Sequence, residues 1–302
     1  MRLLRIDLII LLTAIVSSEA LVAQDSQGTA ASENISVLDV SFEKDGGFID
    51  DIQADEIRID GKAESRVTAI EPIGELPLRV VFLVDISASQ VGVSTDGRRR
   101  GIRQEAQRFY QEAIKLLPLR VSDSACLVAF NHRITVLQDF TSNKDLLMKS
   151  VSNLPPPIGP TRLLDALHLS NRALAVQGDS RRVVIVLTDG NDTSSSQAIE
   201  GVYKEAIDHN VRVYFIVSQR DSQRFSLFGR DIKKHEKFVK RTGGRALSFR
   251  DEKSMDKLIT RIYDELEHLK RISITSQEPL TPDLEISVSR KGVRVNHPSP
   301  IK

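Results

Sequence analysis

The chain has a single cysteine, Cys126, in 302 residues. No intramolecular disulfide can form, so the fold must be held by core burial, which a chain of this length can supply. Neither charge sign is in excess: 42 Lys and Arg stand against 41 Asp and Glu. That balance gives no overall positive field to gather nucleic acid or anionic lipid. No apolar run approaches the ~20 residues of a bilayer-spanning helix. H-E-x-x-H, G-x-S-x-G and G-x-x-x-x-G-K are all missing, and with them the usual signals of a zinc peptidase, a serine hydrolase and a phosphate-cradling loop. His132, His168, His209, His235, His268 and His297 are scattered without ligand spacing and read as surface or turn residues. Cys126 lies in the apolar stretch "SACLVAF" and reads as a buried, inert thiol.

What is present begins with a leader. Residues 1–23 join Arg2 and Arg5 to an apolar run from Leu8 to Val16 and to small residues around Ala20 and Ala23. This is the three-part pattern of a cleaved signal peptide, which predicts a secreted or periplasmic protein with no stable membrane insertion after cleavage. Residues 24–34 are small and polar and read as a flexible leader. Over 35–75 apolar and polar residues alternate between turn signals, in "ISVLDVSF", "FIDDI", "EIRIDG" and "RVTAIEPI", which predicts a small β segment.

The rhythm changes over 76–270. "LRVVFLVD", "RRVVIVLTDG" and "VRVYFIVS" are nearly continuous apolar runs, as strands covered on both faces require. Helical spacing appears over 99–117, where Ile102, Ala106, Phe109, Tyr110, Ala113 and Leu116 share a face, and over 144–153, 161–176, 196–209 and 231–242. A last helix over 254–270 carries Met255, Leu258, Ile259, Ile262, Leu266 and Leu269 on one stripe. The alternation predicts an α/β fold with a doubly wound, mostly parallel sheet. Residues 271–302 return to a β pattern. Neither flank holds enough apolar residues for its own core, so 271–302 is expected to pack with 35–75 as one small β unit.

In an open α/β sheet, ligands collect at the carboxyl ends of the strands. "DISAS" at 85–89 follows the first buried strand. Alone, it reads equally well as a turn or a helix cap. "GPT" at 159–161 and "TDG" at 188–190 place further oxygen side chains at a helix start and a strand end. Asp85, Ser87, Ser89, Thr161 and Asp189 together offer five oxygen donors and no nitrogen or sulfur. Such a set suits a hard divalent cation, Mg2+ first, with Mn2+ or Ca2+ as alternatives. If the hydroxyls touch the ion and the carboxylates act partly through water, the ion keeps positive charge and an open position for a carboxylate from outside.

These residues resemble the metal-ion-dependent adhesion site of von Willebrand factor A domains. "DISAS" matches D-x-S-x-S, "GPT" supplies the threonine and "TDG" the aspartate, in the family's order, and the resemblance covers roughly 78–270. The flanks resemble a bacterial secreted family of the same kind, "EISVSRKGVRVNH" being similar to its C-terminal strand pair; Gln90 and Glu56 depart from its usual residues. The resemblance implies a Rossmann-like fold, the five residues as metal ligands, no enzymatic activity, and binding of a protein partner through an exposed Asp or Glu. It also implies a last helix that couples the site to the β flank. Two other readings remain at this stage. A haloacid dehalogenase-like phosphatase would need an acid two positions after its nucleophile, where this chain has Ser87; a purely structural domain would leave the metal site unfilled. The basic cluster "GRRRGIR" at 97–103 reads as the solvated first turn of a helix.

Overall fold

The computed structural model describes residues 34–60, 64–88, 92–93, 99–100, 102–218, 233–282 and 284–301. The expected signal peptide, the leader up to residue 33, Ser89 and the side chains of the 97–103 cluster lie outside what is described.

The N-terminal flank contains β1 (Asn34–Lys44), β2 (Gly47–Phe48), a 3-10 turn at Ala54–Glu56, β3 (Ile57–Asp60) and β4 (Ser65–Pro72). The α/β unit follows with β5 (Leu78–Asp85), two-residue strands β6 (Gly92–Val93) and β7 (Arg99–Arg100), α1 (Ile102–Leu116), β8 (Ser124–Phe130) and β9 (Ile134–Thr141). It continues through α2 (Lys144–Ser152), α3 (Leu163–Ala175), β10 (Arg181–Leu187), α4 (Ile199–Asp208) and β11 (Val211–Ser218). A helix through 233–241, α5, precedes β12 (Arg245–Phe249) and α6 (Glu252–Glu267). The C-terminal flank holds β13 (Lys270–Ser276), β14 (Glu285–Val288) and β15 (Arg294–Asn296).

The six-stranded sheet has the order β12-β11-β10-β5-β8-β9. All its pairs are parallel except β8 with β9. Each strand residue faces opposite its neighbours. Leu78, Val80, Phe82 and Val84 of β5 therefore enter one core, with α1, α2 and α6, while Val81 and Leu83 enter the other, with α3, α4 and α5. Burial on both faces is why these strands read as unbroken apolar runs. The expected stripe of the last helix is wholly buried, although α6 ends at Glu267 and Leu269 lies just beyond it. α1 departs from expectation at its end: Leu116 is 36% exposed, whereas Ile114 and Leu117 are fully covered.

The two flanks meet in a second sheet of order β15-β1-β13-β4, with β2 attached to β1, while β3 pairs with β14. Val40, Phe42, Ile272 and Ile274 centre its core. β14 and β15, though joined by a short turn, pair with β3 and β1 and not with each other as a hairpin. "FIDDI" contributes only Phe48 to a strand. Arg290 draws Asp51 and Glu56 together at 2.6 and 2.9 Å, and those contacts favour an irregular connection there.

Candidate metal centre

The chain leaves β5 toward β8 and β9, then crosses back to place β10 on the other side of β5. The crevice at the carboxyl ends of β5 and β10 is therefore a topological switch point, the position at which open α/β sheets hold ligands. Asp85 closes β5, and Asp189 lies two residues beyond the end of β10. Below them Tyr110 of α1, fully buried, spans the two strands. Its hydroxyl accepts the Leu187 amide at 2.9 Å and donates to the Leu83 carbonyl.

Three loops are sewn together above this point. The Ile86 amide donates to Phe130 O at 2.9 Å, continuing the β5–β8 ladder past Asp85. Ile158 N donates to Ile86 O and Ala88 N to Gly159 O, each at 2.9 Å, so the loop before α3 pairs with the "DISAS" loop. Thr161 joins the third loop: its amide donates to Thr193 Oγ1 at 2.9 Å, and its carbonyl accepts the amides of Thr193 and Ser194 at 3.0 Å. Gly159 has φ +73°, and a Cβ there would sit 2.6 Å from His132 Nδ1, so the turn that presents Thr161 needs glycine.

Asp85, Ser87 and Thr161 are buried, at 2%, 0% and 2% exposure, and Asp189 is half-buried. Asp85 Oδ1 accepts the Ser87 amide at 2.9 Å, and Oδ2 accepts the Thr188 hydroxyl at 2.7 Å. Burial, and after it the charge of Asp189, push the Asp85 carboxyl up to about 6, against the hydrogen bonds of Ser87 and Thr188 that favour its charged form. A cation beside the two carboxylates would offset the effect of both on the charged form, so the oxygen donor set and its electrostatics fit a divalent ion. Among the described residues no three His, Cys, Asp or Glu side chains gather as a metal cluster.

Supporting residues escape a reading of the sequence. Thr188 shows only as the residue before Asp189. Asp165, in the first turn of α3, accepts the Ser196 and Gln197 amides at 3.0 and 3.1 Å and the Arg162 guanidinium at 2.7 Å. Burial opposes its charge, but Arg162 and these amides hold it below the usual carboxylate range. Asp192 accepts the Leu163 amide at 3.2 Å, capping α3 from a loop 29 residues away. His235 is not a surface residue: it is 3% exposed. Its Nδ1 meets the Tyr203 hydroxyl at 2.9 Å, and the ring bonds the Gly190 backbone. Burial, with the charge of Lys234, pushes it down to about 4, so a neutral imidazole steadies the turn after Asp189.

Residues 80–191 match the von Willebrand factor type A domain family, a span that contains Asp85, Ser87, Ser89, Thr161 and Asp189. No curated protein matches the chain. Among solved structures, the conserved hypothetical protein BatB from Bacteroides thetaiotaomicron is 17% identical, covers 63% of this chain and 98% of its own, and superposes with a TM-score of 0.50. A von Willebrand factor type A protein from Catenulispora acidiphila is 11% identical, covers 91% of this chain and 76% of its own, with a TM-score of 0.51. At these identities the likeness concerns the fold, the doubly wound sheet described above. The matched segment, residues 80–191, carries that sheet's switch point, and over it this chain is similar to von Willebrand factor type A domains.

Proposed function

We propose that this protein is an exported, non-enzymatic binding protein in which Asp85, Ser87, Ser89, Thr161 and Asp189 hold a divalent cation, Mg2+ first, that takes a carboxylate of a protein partner. The observation that carries the reading is the joining of three loops, distant in sequence, over the switch point, with Asp85 buried at their base. Domains of this type often mediate protein–protein interaction, which supports a protein partner.

The chain's own residues do the preparatory work. Thr188 and the Ser87 amide fix both oxygens of Asp85, so the carboxylate is oriented before any ion arrives. The Thr161 main chain is clamped by Thr193 and Ser194, which sets the height of its side chain over the sheet. Preorganised donors lose little conformational freedom on binding. Only Asp85 and Asp189 bring formal charge, so a bound divalent ion is not over-neutralised and retains attraction for an acidic residue. For export, the leader over 1–23 is the support; among the described residues no helix is long and apolar enough to cross a membrane.

Calorimetric titration of the mature protein with Mg2+ and Mn2+ tests the site. Saturable binding is expected, and Asp85→Asn or the Ser87→Ala, Ser89→Ala pair should abolish it. No binding at millimolar metal would leave the domain a structural scaffold. Capture of a partner that is lost with a chelator tests the second half of the proposal, and mass measurement of the exported protein tests cleavage.

A further inference from the structure

A second cleft lies at the opposite end of the strands, where β12 begins and where α6 and β15 approach it. Its volume is about 660 Å3, and Lys240, Arg241, Arg245, Arg261 and Arg294 line it beside one carboxylate, Glu43. Glu43 is 4% exposed and takes three guanidiniums: Arg294 at 2.6 Å, Arg261 at 2.8 Å and Arg245 at 3.5 Å. Arg245 also pairs with Glu265 at 2.9 Å, and Lys240 with Glu236 at 2.9 Å. Among the described residues, five cations therefore line the cleft beside Glu43, while Glu265 behind Arg245 is shared with Arg212 at 3.5 Å, so positive charge is in excess there. The whole chain carries only +1.

We infer that this cleft binds a small multivalent oxyanion, with phosphate as the type. Three arginine forks converging on a single carboxylate repel one another, and the low-dielectric walls of a cleft concentrate their field. Guanidinium groups match tetrahedral oxyanions with paired N–H donors. Glu43 and Glu265 hold Arg245, and Glu43 holds Arg261, so the forks are oriented while Glu43 alone offsets only one of the charges that converge on it. Arg294, with its side chain 76% exposed, forms the accessible wall, and Arg241 is anchored by a bond from Nη1 to the Pro300 carbonyl at 2.5 Å. The anion would join β12 and α6 of the domain to β15 of the flank.

The test is calorimetry of the full mature chain stripped of divalent ions and dialysed free of chelator, so that no divalent ion at Asp85 can recruit the anion and the two sites are read separately. Inorganic phosphate is one arm and glycerol phosphate the other; tighter binding of the ester would mark an organic phosphate as the natural source. One saturable site is expected, absent when chloride is added at equal ionic strength. Arg294→Gln and Arg241→Gln should each weaken it about tenfold, the loss of one charge-assisted contact, while Arg172→Gln on α3 should not. Phosphate should also raise the melting temperature of the wild-type chain above the chloride control, a reading that needs no variant. Equal response to phosphate and chloride, or wild-type affinity in the Arg294→Gln, Arg241→Gln double variant, overturns the inference.

Discussion

Glu265 is the residue on which the joint between domain and flank should depend most, and Glu265→Gln measures it. The side chain is fully buried. Oε1 accepts the Ser41 hydroxyl at 2.7 Å, the Asn296 amide at 2.7 Å and Arg245 Nη2 at 3.0 Å. Oε2 accepts Arg245 Nε at 2.9 Å and the Tyr214 hydroxyl at 3.0 Å. Burial acts to raise the carboxyl, but the hydrogen bonds of Arg245 and the charges of Arg212 and Arg245 outweigh it and hold the group at about 2, against an ordinary 4.5. That gap is worth about 3 kcal/mol at neutral pH. Because the folded protein binds this proton more weakly than the unfolded chain, the contribution is complete above the unfolded value and drains away as pH falls toward the folded one. Glutamine keeps the size and one acceptor oxygen but removes the charge, leaving buried Arg212 and half-buried Arg245 beside a neutral group. Urea unfolding at pH 7 should show the variant about 3 kcal/mol less stable, and the difference should narrow steadily below about pH 4.5. Comparing variant with wild type at each pH cancels the acid sensitivity of other groups. A loss under about 1 kcal/mol at neutral pH, or one that does not change with pH, would refute the assignment of a charge-dependent joint.

Three other outcomes are expected. Tyr110→Phe removes the hydroxyl that bridges Leu83 and Leu187 and should cost about 1–3 kcal/mol; an unchanged melting temperature would show that the two strands close the gap themselves. Cys126 is 4% exposed, and burial pushes its thiol up to about 12. A thiol reagent at neutral pH should therefore leave the native chain unlabelled and take one equivalent in urea, and rapid native labelling would contradict the buried assignment. Gly159→Ala forces a side chain into a left-handed backbone position against His132, costing about 1–2 kcal/mol; it should also weaken cation binding, and unchanged metal affinity in a folded variant would detach this turn from the site.

Much of the fold is legible because strand and helix periods differ and both are carried by apolar residues. β5, β10 and β11 are apolar at nearly every position since both faces are covered, and α6 reads clearly because its stripe faces one core. Asp85, Thr161 and Asp189 are legible for a different reason: each falls at a strand end or helix start, so local pattern alone places them at one edge of the sheet. Thr188, Asp165, Asp192 and His235 were not, because their partners lie on other elements. Asp192 caps a helix that begins 29 residues earlier, and no local spacing encodes that. The separate pairing of β14 and β15 was hidden likewise. Two strands around "RKG" suggest a hairpin, and only the partners offered by β3 and β1 decide otherwise.

The resemblance also implied a last helix that links the site to the flank, and the contacts of α6 set the terms for any such link. At its start, Asp251 caps the Ser254 amide at 2.8 Å, and Glu252 pairs with Arg108 of α1 at 2.7 Å. At its end, Arg181 takes the Leu266 carbonyl at 2.9 Å and Glu267 at 2.8 Å, while Glu265 binds Ser41 and Asn296 of the flank. A slide of one helical turn, about 5.4 Å, would withdraw Glu265 from all of these partners and strand Arg212 and Arg245. Taking only the charge-dependent part of that loss, about 3 kcal/mol, a cation or partner at the Asp85 end must bind the shifted arrangement more than about a hundredfold more tightly to drive it. Tilting α6 about its anchored end leaves Glu265 in place; it breaks the exposed Arg108–Glu252 pair and the cap contacts and repacks Met255, Leu258 and Ile259, a repacking that a slide of the whole helix requires as well. If the two ends of this protein communicate through α6, the physical path is therefore a movement of its first turns, with the flank carried as a fixed body on its last.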